Sequence, residues 1–372
     1  MCVPGSLNKQ IFRISLLILF SSFISCSGED DPVPGPQVSP EMEQYLNSTT
    51  GLKDFYNEYF DVGVAISPAL LSDQQCKDLI LRHFTSLTAE NAMKWSSIQP
   101  VEGTFNFTDA DKIVDFAVAN GLKVRGHTLC WHNQVPAWVF LDGSAPASKE
   151  LVLQRLRTHI TAVMNHFKGK VYCWDVVNEA IDDSGNGYRA SNWFNTCGED
   201  FIIEAFTTAR QVDPAARLFY NDYSAVNPSK RDKIYELLAK LKARNIVDGV
   251  GLQGHWNIDY PSMDLIIAAF DKYKSLGIDL QITELDVSVY TANNNPEITY
   301  TDAVAQKQSD AYARFFKAFR DYKDDISNVT FWGLTDNYSW LNNYPVTGRK
   351  NYPLLFGRNN LPKKPYFTVT GF

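Results

Sequence analysis

Read for hydrophobic and polar positions alone, the chain from Asp61 onward alternates between two patterns. Short strand-like segments recur at Asp61–Ile66, Ser86–Ala89, Lys123–His127, Val171–Val177, Arg217–Asn221, Gly249–Gln253, Leu280–Glu284 and Val329–Leu334. Runs such as KVYCWDVVNEA (170–180) are too continuous to leave one face wet. That predicts strands buried on both faces, as in a parallel sheet. Between them apolar residues return at helical spacing: Leu156, Ile160, Val163, Phe167, then Ile234, Leu237, Leu238, Leu241, then Phe315, Phe316, Phe319, Tyr322. Strand–helix alternation with right-handed crossovers gives a parallel α/β fold. Eight such units favour closure into a single (β/α)8 TIM barrel, spanning residues 41–372, with its chemistry at the C-terminal ends of the strands. No G-x-G-x-x-G follows the first strand, which argues against a dinucleotide-binding sheet. The closing helix at Pro365–Phe372 is short for a barrel.

The N-terminus follows a different pattern. Lys9 and Arg13 precede an uncharged apolar run, Ile14–Ser25, shorter than the roughly 20 residues that span a bilayer. Residues 1–25 therefore read as a signal peptide. Its end, FISC, resembles a bacterial lipoprotein signal, which would make Cys26 the acylated terminus. The acidic SGEDD that follows resembles the tags that send lipoproteins to the cell surface. Residues 26–40 would then be a tether: Ser27–Pro40 holds four prolines and two glycines, a semi-extended spacer. The expected location is the outer membrane or cell surface through a lipid anchor at Cys26, the alternative a soluble periplasmic or secreted protein.

Charge and cysteine content narrow the partners. A net charge of −7 without a long basic run excludes nucleic acid as the expected partner. Cys76, Cys130, Cys173 and Cys197 form no C-x-x-C, so neither a redox pair nor a zinc ribbon is indicated. Neither a cofactor nor a metal is expected, and a monomer is.

The strand ends carry the chemistry. Glu179 closes strand four and Glu284 closes strand seven. A dipeptide such as Asn178-Glu179 could simply open a solvated loop. Two carboxylates on two strand tips of one barrel, however, are the equipment for glycoside hydrolysis. Glu284 and Asp286 lie two apart and so share a face, and His255 at the tip of the adjacent strand six can lie between them. The other tips offer Glu90, Asn91 and Lys94; His127, Trp131 and His132; Asn221, Asp222 and Tyr223; Gln253; and Trp332, Asn337 and Trp340. Planar polar groups mixed with indoles suit sugar hydroxyls and sugar C–H faces. Trp174 and Trp193 read instead as core.

Six motifs in barrel order then carry a resemblance: TAENAMKW (88–95), GHTLCWHNQVPAW (126–138), WDVVNEA (174–180), GLQGHW (251–256), ITELDV (282–287) and FWGLTDNYSWL (331–341). Over essentially all of Asp61–Pro365 the chain resembles glycoside hydrolase family 10 endo-1,4-β-xylanases. The resemblance implies retaining hydrolysis of xylan and xylo-oligosaccharides, with Glu179 as acid/base and Glu284 as nucleophile. It implies sugar contacts at the cleavage position from His127, Asn178 and Gln253, with the next sugar on the non-reducing side held by Glu90, Asn91 and Lys94. Trp131, Trp332 and Trp340 would form walls and roof, and Tyr223 joins the expected substrate contacts. His255 and Asp286 support Glu284. A roof of indole leaves room for xylose but crowds the hydroxymethyl group of glucose, a steric effect of roughly 1–3 kcal/mol.

Three rival readings share parts of this pattern. A non-catalytic glycan-binding protein would have no need of Glu179, Glu284, Asp286 and His255 together. A metal-dependent amidohydrolase barrel would want paired histidines on the first strand, which reads DVGVAIS, and on an ideal strand His127 and His132 point to opposite faces. A cellulase or mixed-linkage glucanase would share the same barrel.

Overall fold

The structure, a computed structural model, describes residues 39–372. The expected signal peptide, Cys26 and nearly all of the tether lie outside the described residues. Eight parallel strands follow in order: β1 Asp61–Ile66, β2 Ser86–Ala89, β3 Lys123–Trp131, β4 Cys173–Asn178, β5 Arg217–Asp222, β6 Gly249–Leu252, β7 Asp279–Ser288 and β8 Ile326–Phe331. Each pairs with the next, and β8 pairs with both β7 and β1, so the sheet closes as the (β/α)8 barrel expected. Long helices such as Lys149–His166, Pro228–Ala243 and Asp302–Asp321 cover its outside, burying the apolar stripes read from the sequence. The final helix, Lys364–Thr370, is indeed short; it packs on Asp302–Asp321 and accepts at the Val369 carbonyl a 2.5 Å bond from the Tyr56 hydroxyl.

Three strands end more than one residue away from where the sequence reading puts them. β3 runs on to Trp131 because the chain skips register against β4 between His127 and Cys130 and then resumes pairing, Trp131 opposite Asn178. β7 runs on to Ser288 because its end pairs with a short extra strand, His255–Asn257. That strand follows Gly254, whose φ of +79° few side chains tolerate. β8 stops at Phe331, leaving Trp332 to the loop. The four cysteines of the barrel are buried and unpaired, and Trp174 and Trp193 are core residues.

The barrel lumen is polar at a surprising depth. Arg125 of β3, wholly buried, donates through both terminal nitrogens to the two carboxylate oxygens of Asp175 on β4, and through Nε to Gln281 Oε1 on β7 at 2.9 Å. Asp175 Oδ2 also meets His127 Nδ1 at 2.9 Å, one turn of the pleat nearer the mouth. Space is tight enough that β6 needs glycine: a Cβ on Gly251 would stand 2.2 Å from Asn221 Oδ1. Removing one partner of such a pair leaves an uncompensated buried charge, at a cost of roughly 3–5 kcal/mol. Arg125→Met is therefore expected to lose about that much stability in urea unfolding; a loss under 1 kcal/mol would show the pair to be dispensable.

Candidate active site

At the mouth of the barrel, two glutamates sit in different surroundings. Glu284, from the body of β7, is 4% exposed. Its Oε1 accepts from Asn221 Nδ2 at 2.8 Å and its Oε2 from His255 Nε2 at 3.1 Å. His255 donates through Nδ1 to Asp286 Oδ2 at 2.9 Å, and Trp340 Nε1 donates to the same oxygen at 2.9 Å. Burial opposes charge on both Glu284 and His255, yet their pairing overrides it. Asp286 and Glu284 raise His255 to about 10, and the His255 bond leads the interactions that lower Glu284 to about 2. The Glu284 side is thus an imidazolium held between the carboxyl groups of Glu284 and Asp286.

Glu179, at the end of β4, has a φ of +58°. A non-glycine residue there costs on the order of 1–3 kcal/mol, and such residues cluster at functional sites. Its carboxyl is held by donors on three sides: Trp131 Nε1 at 2.8 Å on Oε2, and Gln253 Nε2 at 2.9 Å and Asn178 Nδ2 at 3.2 Å on Oε1. Asn178 Oδ1 in turn accepts from Asn221 at 2.9 Å and Gln253 at 3.3 Å. A chain of side-chain amides therefore runs from one glutamate to the other, with Asn221 touching both halves.

Around this pair the structure gathers the other expected residues. Lys94 donates to Asn91 Oδ1 at 2.9 Å and lies 4.7 Å over the Trp131 ring. Burial lowers Lys94 and raises its neighbour Glu90, each partly held back by the opposite charge of the other. Trp332 stands edge-on between His127 and His255, with ring centres 5.2 and 6.4 Å away. Trp340 stacks on Tyr344 at 4.9 Å. Tyr223 stands farther out: its hydroxyl bonds Asp183 and accepts from Arg189, whose Nε donates to the Glu179 carbonyl at 2.9 Å. Among the described residues no group of His, Cys, Asp and Glu is arranged to hold a metal ion.

The profile of glycosyl hydrolase family 10 matches residues 51–371. A β-1,4-xylanase of Dictyoglomus thermophilum is 44% identical over 326 residues, covering 86% of this chain and 90% of that protein. An endo-1,4-β-xylanase of Geobacillus stearothermophilus is 43% identical, covering 87% of this chain and 98% of the other. The crystal structure of a xylanase from Paenibacillus barcinonensis, in complex with a conduramine derivative, superposes with a TM-score of 0.84 at 45% identity, covering 86% and 98% of the two chains. The chain belongs to glycosyl hydrolase family 10. It is a glycoside hydrolase.

Two of the strand-tip residues take places in this family 10 site that the sequence reading does not assign them. Asn221 stood among the strand-tip residues without a role; that it bonds Glu284 and Asn178 depends on Gly251 leaving room beside it. His132 was set on the face opposite His127. The register skip in β3 breaks the period of two, and His132 Nδ1 comes within 3.7 Å of Glu179 Oε2. His255 also arises differently from the sequence reading, from its own short strand and not from the tip of β6.

The electrostatics set the pH dependence. Because His255 is raised from 6.5 to about 10, its stabilising share is complete below pH 6.5 and fades as pH rises through about 10. Because Glu284 is lowered from 4.5 to about 2, its share is complete above pH 4.5 and is lost as pH falls toward 2. Asp286→Asn removes the larger attraction on His255. In nitrogen NMR the midpoint of the imidazole is expected to fall by roughly 1–3 pH units, and alkaline loss of stability to begin correspondingly earlier; an unmoved midpoint would refute the assignment.

Proposed function

We propose that this family 10 enzyme is a retaining endo-1,4-β-xylanase that cleaves internal β-1,4-xylosidic bonds of xylan and xylo-oligosaccharides by double displacement. The observation that carries the reading is the contrast between the two glutamates. Glu284 is kept ionised by His255 and aimed by Asn221, as a nucleophile requires, while Glu179 is held by neutral donors on the opposite side. In the first step Glu284 attacks C1 of the sugar as Glu179 passes its proton to the departing oxygen. In the second, Glu179 takes a proton from water, which attacks C1 and frees Glu284, so the β-configuration is retained. Asn178, beside Glu179, is suited to bond the sugar 2-OH, a contact that strengthens in the transition state. The indoles of Trp332 and Trp340 favour a pentose over a hexose ring, and several relatives are named as xylanases.

The two roles separate kinetically. Glu284→Ala is expected to depress hydrolysis of every substrate, whatever its leaving group. Glu179→Ala loses only proton transfer, typically worth about 10²–10⁴-fold. On a dinitrophenyl xylobioside, whose phenolate leaves unprotonated, it should show a burst and then slow turnover that azide restores, with a β-xylosyl azide as product. Azide rescue of Glu284→Ala with a β-azide product, or unimpaired xylan cleavage by either variant, would reverse or remove these assignments.

A lipid anchor at Cys26 is the matching proposal for location, supported by the FISC signal and the proline-rich tether. Cys26→Ser is expected to move the enzyme from the membrane fraction to the soluble one with its activity intact. A wild-type enzyme already soluble after export would rule the anchor out.

A further inference from the structure

Behind the acid/base glutamate lies a buried ionic cluster to which the chemistry above gives no task. Lys230, in the first turn of the helix Pro228–Ala243, is 1% exposed, and its Nζ stands 2.9 Å from Asp222 Oδ1 at the wholly buried end of β5. A buried ion pair is weak evidence for stability, because desolvation offsets much of its attraction. What the pair holds is more informative. Asp222 Oδ2 accepts the proton of the Tyr220 hydroxyl at 2.5 Å. The same hydroxyl oxygen accepts from the backbone N–H groups of Ala180 at 3.0 Å and Ile181 at 3.2 Å, the two residues that follow Glu179.

A hydroxyl has one proton and two lone pairs. With its proton committed to Asp222, the Tyr220 oxygen presents both lone pairs to the main chain, so the carboxylate decides which way the hydroxyl points. Burial raises Asp222 to about 6, with the Lys230 ammonium opposing the rise. The main chain so held carries the strain: Glu179 has its φ of +58°, and a conformation of that cost persists only where its surroundings over-determine it. The remaining ties on Glu179's backbone are its N–H on the Asn221 carbonyl at 2.9 Å and its carbonyl under Arg189. Helix and loop are fitted closely here, since a Cβ on Gly185 would stand 2.4 Å from the backbone nitrogen of Lys230.

We infer that Asp222, acting through the Tyr220 hydroxyl, is a positioning residue for the acid/base glutamate: it clamps residues 180–181 and so keeps Glu179 in the left-handed backbone conformation that turns its carboxyl into the cleft. This rests on the proposed role of Glu179, and it predicts a defect confined to steps that need proton transfer. Tyr220→Phe deletes the clamp and little else. The measurement is the ratio of kcat/KM on xylohexaose, whose leaving sugar must be protonated, to kcat/KM on dinitrophenyl xylobioside, whose leaving group need not be. The expected result is a fall in that ratio of about tenfold or more, a fraction of the roughly 10²–10⁴-fold that general acid catalysis supplies. Asp222→Asn should move the ratio in the same direction and provides the measurement if Tyr220→Phe does not fold. An equal fall on both substrates, the mark of a merely structural role, or no fall on either, overturns the inference. Glu179→Ala, assayed alongside, keeps the two readings apart. If it splits the substrates and the clamp variants do not, the clamp alone is wrong; if it does not split them, the acid/base assignment falls and the clamp with it.

Discussion

The carboxylate of Asp175, deep inside the barrel, is the constraint on which the rest depends. A wholly buried carboxylate is tolerable only if it is compensated on every side. Here Arg125 takes both oxygens and His127 one of them, with Gln281 completing the guanidinium's partners. The result ties β3, β4 and β7 together through the lumen, and two of those strands deliver the glutamates. It also orients His127, whose ring meets Trp332 at the edge of the cleft. Scaffold and site are thus one continuous polar column, rigid because none of its members can move without leaving a buried charge unpaired.

Above that column the two glutamates are differentiated by their partners. Glu284 is tied to an imidazolium that is itself anchored by Asp286 and Trp340, so its charge is stabilised before any substrate arrives. Glu179 meets an indole and two amides, donors that position a carboxyl without bringing a full charge into contact. The amide chain through Asn178, Asn221 and Gln253 couples the two, so a displacement on one side is felt on the other. Such preorganisation matters because groups fixed in advance need no reorganisation at the moment of reaction.

Much of this was legible in the residues. A near-continuous apolar run marked strands such as β4, because a strand covered by helices outside and by packed side chains inside has no wet face. Acids loaded on the tips of β4 and β7 stood out because carboxylates are costly at the ends of buried strands unless used. The pairing of Glu284, Asp286 and His255 followed from a period of two along β7. The same rule failed on β3, where the register skip brings His132 toward Glu179, and it was silent on Asn221, whose place depends on a missing side chain at Gly251.

The division follows from the range of the forces involved. Hydrophobic periodicity and the residue types at strand ends are local, so the sequence by itself determined the barrel and the two glutamates carried at the ends of β4 and β7. The tertiary structure alone decided which neutral donors hold Glu179, that Tyr220 and Asp222 grip the backbone behind it, and that a positive φ is sustained there. Those contacts join strands and loops distant in sequence. Each exists only because closure of the barrel excludes water from between them, which makes every buried donor and acceptor find a partner within the protein.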